Sequence, residues 1–164
     1  MRHILLAIAV LAVPAAVQGQ ESAWGYFEGE DGSAGAGVQN SEGAQLLLKC
    51  DKPGKGEVHA AIFTPSRLTP PYDSFTRRDV TLRFDDGPPR KVRWRYYTQT
   101  AMAVNQGNDR ALNRLLPGLV EANELTVELD PVQASAMRET FTVTGAREAV
   151  ERVYELCQDE LTLD

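Results

Sequence analysis

Cys50 and Cys157 are the only cysteines in the 164-residue chain, and what they do depends on the compartment the chain occupies. In a reducing compartment both would be buried free thiols. In an oxidising one an even number of cysteines reads as a disulfide, and two permit a single connectivity. Bridging them closes a loop of about 107 residues, which the chain-entropy account values at about 4 to 5 kcal/mol.

Beyond the first three residues there is one histidine, His59. A metal site built on several imidazoles is therefore ruled out, and a Ser-His-Asp triad would have to use this residue. The plainer reading is a strand histidine, paired locally or at the surface. No His-Glu-x-x-His, Cys-x-x-Cys, Gly-x-Ser-x-Gly or phosphate-binding loop occurs, and Gly35-Ala36-Gly37 lacks the third glycine and following helix of a dinucleotide fingerprint. Glu28, Glu30, Asp31, Asp85 and Asp86 supply carboxylates for an acid/base pair. Asp85-Asp86-Gly87 is better explained as a turn, because Asp and Gly tolerate left-handed backbone. The expectation is no catalytic residue, no metal and no cofactor.

Charge is more informative. Seven cations, Arg77, Arg78, Arg83, Arg90, Lys91, Arg93 and Arg95, crowd a short stretch with only Asp79, Asp85 and Asp86 against them, in a chain of formal net charge −6. If Arg83, Arg93 and Arg95 share one strand face with Lys91, they form a stripe suited to an acidic protein surface, a polyanion or lipid headgroups. The alternative is a solvated outer face whose charges deter edge-to-edge aggregation. Trp24, with Tyr26 and Phe27, offers an aromatic anchor for a partner, or else a piece of the core. The overall negative charge argues against general nucleic-acid binding.

The elements that must position these residues begin with a leader. Met1-Arg2-His3 is a short basic start, and residues 4–17 form an apolar run without charge, shorter than a bilayer span and interrupted by Pro14. Residues 1–19 read as a signal peptide cut before Gln20, with no nearby cysteine to carry a lipid. The expected mature chain, residues 20–164, has 16 basic and 23 acidic residues and the usual size of one domain, with no transmembrane segment left.

Within that domain an apolar run bounded by turn residues predicts a buried strand over 44–50, and period-two alternation predicts strands over 57–64, 80–84, 92–96, 125–129 and 140–144, after an aromatic first strand near residues 24–27. Residues 80–96 read as a hairpin with one apolar and one basic face, turning at 85–89. Residues 65–76, with three prolines, read as a surface loop. Leu112, Leu115, Leu116 and Leu119 predict a short helix over 109–120, capped by Asn108 and limited by Pro117. Ala146, Ala149, Val150, Val153 and Cys157 share one face of a helix over 146–157, which aims Cys157 at the sheet and at Cys50. The fold class expected is α+β, mainly β: an antiparallel sheet or sandwich of about seven or eight strands, one short internal helix, a C-terminal helix on the sheet, and one disulfide.

The apolar strand ending at Cys50, the stretch from Val80 to Pro88, Trp94, the segment from Phe141 to Gly145 and the helix to Cys157 together resemble the VasI-type periplasmic proteins associated with bacterial type VI secretion. The resemblance spans roughly residues 44–157 and implies a periplasmic accessory domain without known chemistry. The Gly-rich start and the Pro-rich loop depart from that pattern. The leading expectation is an exported, non-catalytic binding or accessory protein of the periplasm or envelope with a protein partner, acidic if the basic face is used. Its rivals are a small hydrolase using carboxylates or His59, and a structural envelope protein.

Overall fold

The computed structural model describes residues 24–30, 32–71 and 74–163. The leader over residues 1–19 and its cleavage before Gln20 lie outside the described residues.

Alternation sets the strands. In β3 (Gln45–Cys50), Leu46, Leu48 and Cys50 are buried while the residues between them are half-buried, and β4 (Val58–Phe63) pairs with it antiparallel, Leu48 opposite Ala60. The expected hairpin forms from β5 (Thr76–Phe84) and β6 (Arg90–Tyr96), with Val80 opposite Val92. That register buries Val80, Leu82, Val92, Trp94 and Tyr96 on one side and leaves Arg77, Arg83, Lys91, Arg93 and Arg95 on the other. Asp85 takes the left-handed conformation at the turn (φ 46°), and its carboxylate accepts the backbone N–H groups of Asn123 and Glu124.

The sheet has nine strands rather than seven or eight, in the order β1-β2-β3-β4-β7-β6-β5-β8-β9, all antiparallel. It is completed by β1 (Gly25–Glu28), β8 (Glu124–Leu129), β9 (Met137–Thr142) and two strands that residue preferences hide, β2 (Ala34–Gln39) and β7 (Thr100–Ala103). Small side chains in β2 are a packing requirement. A Cβ on Gly35 would lie 2.4 Å from the Leu48 carbonyl oxygen, and one on Gly37 2.3 Å from a Leu47 methyl carbon.

Two helices cover the apolar face. The α2 helix (Ala146–Cys157) packs on β2, β3 and β4, and α1 (Ala111–Leu119) on β5, β6 and β7, where Gly118 lies so close to the Phe84 ring that a Cβ would come within 2.4 Å of it. Pro117 stays inside α1 rather than ending it, and Arg110, not Asn108, occupies the N-cap, without a side-chain cap bond. The loop over 65–76 is pinned more than expected: Leu68 is buried, its N–H donates to Thr98 O, and its carbonyl accepts from Val132 N–H.

The sheet curls, in the manner of a sandwich, until β2 meets β9. Two bonds bridge the approach: the Trp24 indole donates to the Val143 carbonyl, and the Asn40 amide donates to the buried Glu139 carboxylate at 2.7 Å. Between β6 and β7 the pairing is only two residues long, Arg95 with Met102 and Tyr96 with Ala101. Residues 90–94 of β6 thus have a strand on one side only.

The disulfide joins Cys50 to Cys157, with Cα atoms 5.7 Å apart and both residues fully buried. The C-terminal end of α2 also holds the β3–β4 loop, since Gly56 N–H donates to Cys157 O and Val58 N–H to the Asp159 carboxylate. Replacing both cysteines by serine should lower the unfolding free energy in urea by about 4 to 5 kcal/mol, the chain-entropy value for a loop this long. The oxidised native protein should take up no thiol label until unfolded in reductant.

Candidate functional site

The free margin of β6 is where the basic stripe acquires a second wall. The chain leaves β7, runs through residues 104–110 and enters α1, and the start of that helix stands beside Lys91, Val92 and Arg93. Between them lies an open basin of about 610 Å³ lined by Arg77, Lys91 and Arg93 from the hairpin, by Arg110 at the N-cap of α1 and by Arg114 within that helix. Five cations face it, against Asp79 and Asp109. The apolar contribution to its lining is Val92 and Ala111.

Asp109 builds the basin. Its carboxylate accepts Arg95 Nε at 2.8 Å and Nη2 at 2.5 Å, and Arg77 Nε at 3.3 Å. These charge-assisted bonds hold the carboxyl well below its ordinary value, with the Arg95 hydrogen bonds the largest cause. Both guanidinium groups also stack on the Phe75 ring, at 5.0 Å for Arg77 and 4.7 Å for Arg95. Arg95 is therefore a clamp residue, its side chain 14% exposed, and not the free cation of the stripe that the sequence suggests.

The other expected contact residues separate. Lys91 and Arg93 reach the basin; the Arg93–Asp79 pair, 3.4 Å apart, is exposed on both sides and holds Arg93 weakly. Arg83 stands in a second groove of about 340 Å³ with Asp85, Asp86, Glu124 and Glu128, where acids outnumber cations. Trp24 is 6% exposed and belongs to the core, the alternative weighed for it above. Sequence reasoning missed Arg110 and Arg114. Their four-residue spacing at the start of a leucine-periodic helix was visible, but nothing in the linear pattern turned that face toward the hairpin.

His59 is buried on β4, paired with Lys49, its Nε2 3.7 Å from the Asp51 carboxylate. Burial pushes the imidazole below its ordinary value, and the pull of Asp51 opposes this without overcoming it. The candidate carboxylates are divided: Glu28 lines a groove with Tyr26 and Arg152, Asp85 and Asp86 line the second groove, and Asp31 lies outside the described residues. Among the described residues no three His, Cys, Asp or Glu side chains gather to hold a metal ion. No helix among them is long and apolar enough to cross a membrane.

No family model, curated protein or solved structure matches the chain. What it does must be read from these side chains alone.

Two predictions follow from the clamp and the histidine. Asp109→Asn should cost about 2 kcal/mol, the scale of hydrogen bonds to a charged group, and should speed hydrogen exchange at Ala111, whose N–H is bonded to Val104 O. The clamp's contribution should be present above the ordinary carboxyl value of 3.8 and fade as pH falls through the lowered native one. For His59 the unfolded imidazole takes up its proton near 6.5, before the native one does. Stability should therefore fall as pH drops below 6.5 and level off once the native group is also protonated, and His59→Gln should flatten that slope in urea titrations.

Proposed function

We propose that this chain is an exported, non-catalytic binding module that acts in the bacterial periplasm or envelope and holds an anionic partner in the basin between β6 and α1. One observation carries the reading: five cations face a single concavity on a chain of net charge −6. Among the described residues Lys91, Arg110 and Arg114 have no carboxylate partner, so the site carries uncompensated positive charge. Such a local inversion steers an oppositely charged partner and fixes its register. The basic start with its apolar run, and a disulfide that forms and persists in oxidising compartments, support export. An accessory role of the VasI type in secretion belongs to the same proposal.

The test is chemical crosslinking in the native cell with a variant carrying Lys91→Glu, Arg93→Glu and Arg114→Glu, beside an Arg138→Glu control outside the basin. The triple variant should lose its discrete crosslinked partner and the control should keep it. Retention of every partner by the triple variant would remove the basin from the function, and a protein found only in the cytosol with free thiols would remove export.

A further inference from the structure

The basin's two walls carry their cations at matching intervals. On β6, Lys91 and Arg93 are two residues apart and project from the same strand face, which separates their origins by about 7 Å. On the other wall Arg110 and Arg114 are four residues apart, about 6 Å along a helix. An extended polypeptide repeats its side chains on one face at that interval, every second residue. A chain with Asp or Glu at alternate positions would therefore carry its carboxylates along one face, which, turned into the basin, repeats at the interval of the cations on each wall.

We propose that the ligand of the basin is an extended acidic segment of a partner protein, with carboxylates at alternating positions, lying between β6 and the start of α1. This deepens, and rests on, the reading of the basin as the binding surface. The protein's own groups show the chemistry in place: Asp109 already engages Arg95 and Arg77 from the loop, and Asp79 reaches Arg93. The exposed Asp79–Arg93 contact is exchangeable for an incoming carboxylate at little cost, and the Arg110 guanidinium donates only to the carbonyls of Gly107 and Asp109. A lining with just Val92 and Ala111 as apolar residues gives no purchase to acyl chains. The negative charge of the whole chain disfavours long polyanions that would run past the basin onto the acidic surface.

The experiment is calorimetric titration of the disulfide-bonded chain at low and physiological salt with three probes: a peptide of alternating Glu and Ser, a peptide of the same composition with its glutamates in one block, and inorganic polyphosphate. The alternating peptide should bind roughly tenfold more tightly than the block peptide, with affinity falling as salt rises. The exposed-site variants Lys91→Gln and Arg114→Gln, checked for native circular dichroism, should each abolish that preference, while Arg138→Gln should retain it. Equal affinity for the two peptides, or a preference that survives both variants, overturns the proposal. Binding of polyphosphate alone, lost in the same variants, overturns the acidic segment but leaves the basin as an anion site. Absence of binding by all three probes overturns both.

Discussion

The structure depends on how closely α2 can lie on the sheet. Its buried face, Ala146, Ala149, Val150, Val153 and Cys157, meets strands lined by Ala36, Leu48 and Ala60, and the Cys50–Cys157 bond fixes the helix's far end to the end of β3. Small side chains on both partners make that approach possible, and close packing is what returns the cost of ordering the chain. Once α2 is seated, the chain that feeds it from β9 has to pass near β2. The bonds from Trp24 to Val143 and from Asn40 to Glu139 are made there.

The basin follows from the margin of β6, beside the start of α1. Because β7 pairs with β6 over just two residues, the strand margin beyond Arg95 is left for the start of α1. A bond between a loop carboxylate and two hairpin arginines then decides where that helix begins, and thereby where Arg110 and Arg114 stand. The clamp sets its one negative charge against both Arg77 and Arg95 in doing so. Among the described residues Lys91, Arg110 and Arg114 have no carboxylate partner, and these come from β6 and the start of α1, separated along the chain but adjacent in space.

Much of the fold was legible because large side chains announce themselves. Val80, Leu82, Val92 and Trp94 alternating with charges fix the hairpin and its two faces, and the spacing of Ala149, Val153 and Cys157 fixes the face of α2. Where packing demands smallness the signal disappears. The strand at Ala34–Gln39 lies in the Gly-rich start and carries no strand pattern, yet its glycines are needed beside Leu47, Leu48 and Phe27, and the short Thr100–Ala103 strand has just two buried alanines to mark it. The site was half legible for a related reason. Lys91 and Arg93 declare themselves by density along the chain, whereas the opposing wall and the capture of Arg95 by Asp109 are tertiary facts, as is the burial of the Trp94 indole N–H, which has no partner among the described residues.

The position of the two sulfurs along the chain bears on how the molecule matures. Cys50 and Cys157 are 107 residues apart, so Cys50 is synthesised more than a hundred residues before the thiol it must meet. Scrambling within one molecule has no alternative partner to use, since there is no third cysteine. Before the bond closes, each thiol is open to a mixed bond with a foreign thiol; in the folded chain the two sulfurs are bonded to each other and both residues are fully buried.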